Sequence, residues 1–306
     1  MIDADGNTAF ARTVNDYRNS LKIFTDKYSP SIRKMSSTRD VHDAYFRDMI
    51  HFQILKIFDL NDDLGIFFDA NKEIVFNTQL ANVSDPLFRH DKSYLVSFGK
   101  QMGQFIGEVY QSSVHITGPG KSVPIKEWIS AKYYIDVNTS RETHIFEPRV
   151  PIELSIYLFH MYTWTGYVRN VLQKELPEDN SWLIRMKFVA VYNIERGFVN
   201  VVNYYNGRET PQIIKQIKAL LPSLHVQELS LLRNAMMHYG LQDKSGRELL
   251  NDSNALPDRP LYGLIEACSG VNSFDVIHLL QKEIEELYCF LGQNFHFSEK
   301  RFMKQW

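Results

Sequence analysis

The side chains best suited to chemistry lie close together in the stretch LSLLRNAMMHYGLQ, residues 229–242. Arg233 and Asn234 are followed, after three further residues, by His238 and Tyr239. An arginine stays charged and can hydrogen-bond two phosphate oxygens at once. A histidine, with an unperturbed pKa of about 6.5, can accept or donate a proton near neutrality. Together these residue types can break a phosphodiester bond without a metal ion.

Cleavage of this kind requires a ribose 2′-hydroxyl to attack the adjacent phosphorus, which makes RNA rather than DNA the logical substrate. His238 would transfer the proton, Arg233 would bind and neutralise the phosphate, and Asn234 would hydrogen-bond the phosphate or fix the imidazole tautomer. One set of residues leaves the 5′-oxygen leaving group without a proton donor. Two copies facing each other across a two-fold axis would supply two histidines, so the chemistry predicts a homodimer.

An α-helix would bring these polar residues to one edge. At ~100° per residue, Asn234 and His238 lie nearly above one another, and Arg233 lies ~140° from His238. The rest of the helix surface is apolar and is predicted to face the core: Leu232, Ala235 and Met236. A partner subunit could dock at such an edge.

Residues 233–239, RNAMMHY, resemble the signature of the HEPN superfamily (higher eukaryotes and prokaryotes nucleotide-binding domains). That signature is an arginine, a polar residue directly after it, and a histidine beyond a spacer of about four to six residues. The resemblance extends loosely over residues 150–295. It implies a homodimeric, metal-independent endoribonuclease of a toxin–antitoxin, phage-defence or related system, without a cofactor and with RNA and an antitoxin or regulatory protein as partners.

By this resemblance Arg233 and His238 are catalytic and Asn234 assists them. Glu228 and Tyr239 are auxiliary candidates, Glu228 because acidic residues orient the arginine in similar proteins. Three alternatives stay open: a non-catalytic HEPN-like module that binds nucleotide, RNA or protein; a purely structural helical protein, with Arg233 in a surface salt bridge and His238 in the core; and a solvated helix face for Glu228.

Composition restricts the remaining possibilities. The chain has 306 residues, 44% of them hydrophobic, which suits one large domain or two modest ones. A net charge of -2 argues against coating nucleic acid by bulk electrostatics, so any such contact is local. Six basic residues could form a modest phosphate track, though solvated faces explain them equally well: Arg185, Lys187, Arg196, Arg208, Lys215 and Lys218.

The N-terminal sequence is polar and no apolar run is long enough for a membrane span, so we expect a cytoplasmic protein without a membrane partner. The two cysteines, Cys268 and Cys289, lie in apolar contexts and are interpreted as buried small hydrophobic residues in a reducing compartment. No spacing of metal ligands stands out, and we predict neither a metal nor another cofactor.

The predicted fold class is mainly α, with a C-terminal up-and-down helical bundle of the HEPN type after a helical N-terminal region with minor β or irregular structure. A cluster of Pro and Gly residues places a domain boundary near residue 147, dividing a region of unknown role (1–147) from the bundle (148–306). Strands or loops are expected within 64–86, in KYYIDV, and at 197–206 as a loop or frayed helix. Apolar spacing predicts helices over 7–34, from a Ser37 or Thr38 cap through Leu60, 88–112, 151–175, 181–195, from Thr210 and Pro211 to Leu221, from Pro222 to Gly240, and 273–291.

Overall fold

The computed structural model describes residues 21–49, 62–80, 131–142, 145–147, 149–226, 229–238, 242, 246–251 and 253–304. These residues form mostly α-helix with one small antiparallel sheet, which confirms the mainly-α class. An up-and-down bundle of the HEPN type and a domain boundary near residue 147 stay predictions. The helix predicted over 88–112 lies outside the described residues.

The first helix runs through a predicted break. After a 3-10 turn at Leu21–Phe24, helix α1 spans Tyr28–Met49 without interruption at Ser37 or Thr38. The prediction of two helices, 7–34 and 37 or 38 to 60, is therefore wrong where the chain is described. Pro30 lies in the first turn of α1, where its missing N–H costs no helical hydrogen bond. Ser37 and Thr38 are interior helical residues, so no helix begins at either of them.

Four strands form the sheet in the order β2-β1-β3-β4, with antiparallel pairing throughout. Their bounds are β1 Leu64–Phe68, β2 Ile74–Asn77, β3 Tyr133–Val137 and β4 Met303–Lys304. Of the two alternatives predicted within 64–86, a strand pair or loops, the structure has the strand pair, and the β-prone segment KYYIDV contains β3. Asp69 closes the β1–β2 turn, since its Oδ1 accepts hydrogen bonds from the backbone N–H groups of Asn71 (2.8 Å) and Glu73 (2.9 Å).

The long aromatic helix predicted over 151–175 is present and lies at the centre of the core. Helix α2, Ile152–Tyr167, is buried on nearly all sides, continues through a π-helical segment, Val168–Leu172, and ends in an α-helical turn, Gln173–Glu175. Its aromatic residues pack as core, as with Tyr157 and Phe159. Gly166 lets α2 approach β2 closely, because a Cβ added there would lie 2.6 Å from the backbone oxygen of Ile74.

The described residues after α2 contain five further helices: α3 Ser181–Tyr205, α4 Gln212–Leu220, α5 Ser230–His238, α6 Leu264–Ser269 and α7 Ser273–Gly292. The predictions for α4 and α7 are confirmed, whereas α6 was not predicted. Residues 197–206 were expected to be a loop or a frayed helix, yet α3 continues to Tyr205. Phe198 and Val201 lie one turn apart there and are both fully buried, so packing overrides their β propensity.

Helix α5 begins later than predicted. Pro222 belongs to a 3-10 turn at Leu221–Ser223, Leu224 and His225 after it are not helical, and α5 spans Ser230–His238. Leu224 and Val226 are buried in this connection, so apolar residues whose spacing resembled that of a helix anchor an irregular segment instead.

The two cysteines differ in burial. Cys268 is buried as predicted, whereas Cys289 is exposed, and its interpretation as a core residue is wrong.

Candidate functional site

Helix α5 presents two different faces, as the sequence predicts. Leu232, Ala235 and Met236 are buried against the neighbouring helices α3 and α6. Arg233 and Asn234 are half-buried. The two polar side chains therefore lie at the edge of a helix whose apolar residues attach it to the protein.

Arg233 is held in place by two neighbours. Its Nη1 donates a hydrogen bond to Oδ1 of Asn234 at 3.0 Å, and its Cζ lies 5.8 Å from the ring centroid of Tyr192 on α3. Its Nε is buried and has no hydrogen-bond acceptor among the residues the structure describes. A buried N–H without an acceptor costs free energy, so this arginine stabilises the fold less than a fully paired one would.

Asn234 supports the arginine in this structure. Its side-chain amide oxygen accepts the hydrogen bond from Nη1 of Arg233, which holds one edge of the guanidinium. The sequence predicted contacts from Asn234 to phosphate or to imidazole. The contact observed is a third one, and it uses the side-chain oxygen of Asn234 rather than its amide nitrogen.

The remaining predicted site residues are described only in part. His238 is the last residue of α5, so the helical spacing from Arg233 and Asn234 on which the prediction depends is present in the backbone. The side chain of His238 lies outside what the structure describes, and so do Glu228 and Tyr239 entirely. Their roles stay predictions.

Tyr192 is a site residue that the sequence did not reveal. It lies on α3, far from Arg233 in sequence, and its ring also stacks on Phe188 at a centroid distance of 6.0 Å. A tyrosine in an apolar helix looks like a core residue, and only the packing of α5 on α3 shows that it lies beneath the arginine. No local pattern could have identified it.

Two buried glutamates fix the chain just before α5. Oε1 of Glu283 accepts the backbone N–H of His225 at 2.7 Å, and Oε1 of Glu195 accepts that of Val226 at 3.3 Å. Both carboxyl groups are almost completely buried, and a side-chain hydrogen bond joins them. Burial raises the pKa of Glu283, against the opposing effects of the His225 N–H and of Glu195. The pair thus takes up backbone donors that a helix start at Pro222 would have satisfied.

One of the six basic residues that could form a phosphate track, Lys187, does not lie on the surface. Lys187 is 1% exposed, and its Nζ donates to Oε1 of Gln281 on α7 at 2.6 Å. Burial lowers its pKa below the ordinary value for lysine. Lys187 therefore connects α3 to α7 in the interior. Four of the six are exposed: Arg196, Arg208, Lys215 and Lys218.

Comparison with known proteins gives no family to which the site could be assigned. No protein-family model matches the chain, and no curated protein or solved structure is significantly similar to it. The HEPN resemblance accordingly depends on residues 233–239 and the helical context around them.

Within the described residues, no helix combines the length and apolar character needed to cross a membrane.

Proposed function

We propose that the chain is a metal-independent endoribonuclease whose site is formed by Arg233, Asn234 and His238, and is completed by a second copy of the chain. The observation that carries the proposal is the position of Arg233. Its guanidinium lies at the edge of α5, oriented by Asn234 and Tyr192, with a buried Nε that has no acceptor among the described residues. Buried polar groups without a partner are uncommon in proteins, and a binding or catalytic role is one of the explanations for them.

The chemical step needs two proton transfers. One His238 takes the proton from a ribose 2′-hydroxyl while the 2′-oxygen forms a bond to phosphorus. The bond from phosphorus to the 5′-oxygen breaks, and His238 of the second copy gives that oxygen a proton. Arg233 neutralises the charge on the non-bridging oxygens. The products are a 2′,3′-cyclic phosphate and a 5′-hydroxyl end.

The test is RNA cleavage by purified protein in the presence of a chelator. We expect wild type to cut RNA, and His238→Ala to be slower by roughly 10²- to 10⁴-fold, the usual contribution of a general acid or base. His278→Ala is the matched control, since His278 is an exposed histidine on helix α7. A 2′-deoxy nucleotide at the cleaved position should block the reaction. Equal cutting by His238→Ala, or none by wild type, contradicts the proposal.

The dimer has a test of its own. Sedimentation over a range of concentrations should show a two-chain species under the conditions in which RNA is cut. A strict monomer that cuts RNA would remove the composite site and require a second proton donor within one chain.

A non-catalytic module that binds RNA, nucleotide or protein through the same residues is the second candidate. The contact between Arg233 and the Tyr192 ring favours it, since arginine and aromatic side chains together bind nucleic acid without chemistry. It predicts RNA binding that Arg233→Ala weakens, without any cutting. The setting in a toxin-type or phage-defence system is supported only by the sequence resemblance.

A further inference from the structure

A second candidate site lies at the N-terminal end of α3. There a cavity of about 300 Å³ lies between the start of α3, the turn at 257–262 and the first turn of α7. That volume is at the lower end of the range for small-molecule sites. Its lining combines carboxylate, guanidinium, hydroxyl and aromatic groups: Asp179, Ser181, Asp258, Arg259, Tyr262 and Phe274.

The aromatic side chains at this cavity are exposed. Tyr262 is 64% and Phe274 is 46% exposed; Trp182, which follows the lining residue Ser181 but does not itself line the cavity, is 62% exposed. Large aromatic residues contribute most to stability when they are buried, so these three do little for the core. Exposed rings beside a cavity are typical of surfaces on which a flat ligand stacks.

The backbone holds Tyr262 in an unfavourable conformation. Leu261 (φ 53°) and Tyr262 (φ 56°) are consecutive non-glycine residues in the left-handed region, which is strained for residues with a Cβ. Two hydrogen bonds maintain it: Tyr262 N–H to the Arg259 oxygen at 3.0 Å, and Leu256 N–H to the Tyr262 oxygen at 2.9 Å. Leu261 packs against the core, whereas the Tyr262 ring is exposed, so core packing accounts for the conformation of Leu261 but not for that of Tyr262. Strain of this kind is characteristic of ligand-binding positions.

The polar groups restrict the ligand further. The Arg259 guanidinium lies 5.3 Å from the Phe274 ring centroid, which orients it. Asp179 and Asp258 bring carboxylate acceptors to the same cavity. A fitting ligand is therefore flat and carries N–H donors on one edge and acceptors on another. Guanine has both, since its N1–H and amino group can donate to one carboxylate, and its O6 and N7 can accept from one arginine.

We infer that this cavity binds a guanine base, with the ring stacked on Tyr262 or Phe274, its donor edge on an aspartate and its acceptor edge on Arg259. Uracil lacks the amino group, and adenine and cytosine lack the guanine combination of two adjacent donors with two acceptors. The base can come from a free guanine nucleotide or from an RNA strand. This assignment does not depend on the RNA-cleavage proposal.

An RNA strand could also reach Arg233 from here. Ser181, Arg185 and Tyr192 are spaced by four and seven residues, so they share one face of α3, with about 16 Å of helix between the first and the last. Ser181 lines the cavity, and Tyr192 lies beneath Arg233. Arg185, on the same face, has its Cζ 5.9 Å from the Trp182 ring centroid. This extension, unlike the base pocket, rests on the proposed function.

The experiment is a titration of the full chain with GMP, AMP, CMP and UMP at constant ionic strength, followed by Trp fluorescence and by calorimetry. We expect GMP to bind at least tenfold more tightly than the other three. The double variant Asp179→Asn/Asp258→Asn should abolish the preference. Asp275→Asn is the matched control, because Asp275 is an exposed carboxylate beside Phe274 that does not line the cavity.

The variant Tyr262→Gly distinguishes a loss of GMP binding from a loss of folding. Glycine relieves the left-handed strain, so this variant should unfold at an equal or higher urea concentration than wild type, while losing GMP affinity by tenfold or more. Equal affinity for the four nucleotides, no binding of GMP, or unchanged GMP binding by the double aspartate variant overturns the inference.

Short oligoribonucleotides with and without one guanine distinguish the two sources. If an RNA strand is the ligand, the guanine-containing oligomer binds more tightly than GMP and Arg185→Ala weakens only the oligomer. If a free nucleotide is the ligand, GMP binds at least as tightly as the oligomer. His238→Ala should leave GMP binding unchanged, so failure of cleavage and failure of the guanine pocket are separate results.

Discussion

Replacing Arg233 by methionine should separate a functional arginine from a structural one. The change removes the hydrogen bond from the charged guanidinium to Asn234, worth about 1.5–3 kcal/mol, and the contact with the Tyr192 ring, worth about 0.5–1 kcal/mol. It also removes a buried Nε without an acceptor, a group that costs about 1–3 kcal/mol. These effects partly cancel. We expect the free energy of unfolding to fall by about 1 kcal/mol, while RNA cleavage or binding is lost.

The assay is urea unfolding followed by circular dichroism, at one protein concentration so that dimerisation does not contribute to the difference. Leu232→Ala is the control on the same helix, because Leu232 is fully buried and should lose about 2–5 kcal/mol. If Arg233→Met loses more than about 2 kcal/mol with an unchanged denaturant slope, Arg233 mainly supports the fold. The functional interpretation of its unpaired Nε would then be wrong.

Three further outcomes follow from the packing. Gly166→Ala should lower the free energy of unfolding measured in urea by about 1–3 kcal/mol, because the new Cβ would meet the Ile74 backbone oxygen. Since alanine usually stabilises a helix relative to glycine, an increase in the free energy of unfolding would contradict the observed α2–β2 contact. The raised pKa of Glu283 means that its stabilising contribution is full below the ordinary glutamate pKa and is lost as pH rises through the folded-state pKa. In Glu283→Gln the free energy of unfolding should therefore fall less over the same rise in pH than it does in wild type. If the free energy of unfolding depends on pH equally in both proteins, the buried glutamate pair does not contribute as inferred. A thiol reagent should label Cys289 in the native protein and Cys268 only after unfolding, as peptide mapping by mass spectrometry will show.

Several parts of the fold follow from local spacing alone. The apolar positions of α7 repeat every three or four residues, and Val276, Leu280, Ile284 and Leu287 are indeed buried. The same spacing correctly assigned the two faces of α5. A helix needs only its own backbone hydrogen bonds to set which residues share a face, so this information is present in the sequence.

The secondary-structure predictions are wrong in segments whose conformation is set by contacts with residues distant in the sequence. Residues 197–205 are helical because Phe198 and Val201 are buried in the core, although their neighbours favour strand. No α-helix begins at Pro222, and the carboxyl groups of Glu283 and Glu195 accept the backbone N–H groups of His225 and Val226 that such a helix would have used. No residue near these segments reveals such partners.

The candidate sites show the same division. The helical repeat is enough to place Arg233 and Asn234 on the polar edge of a helix anchored by Leu232, so this feature could be predicted without any structure. The tertiary structure alone placed Tyr192 beneath the arginine and brought the start of α3 beside Tyr262. Contacts between residues so far apart in the chain depend on how whole helices pack, and that packing is set by all of their buried side chains together.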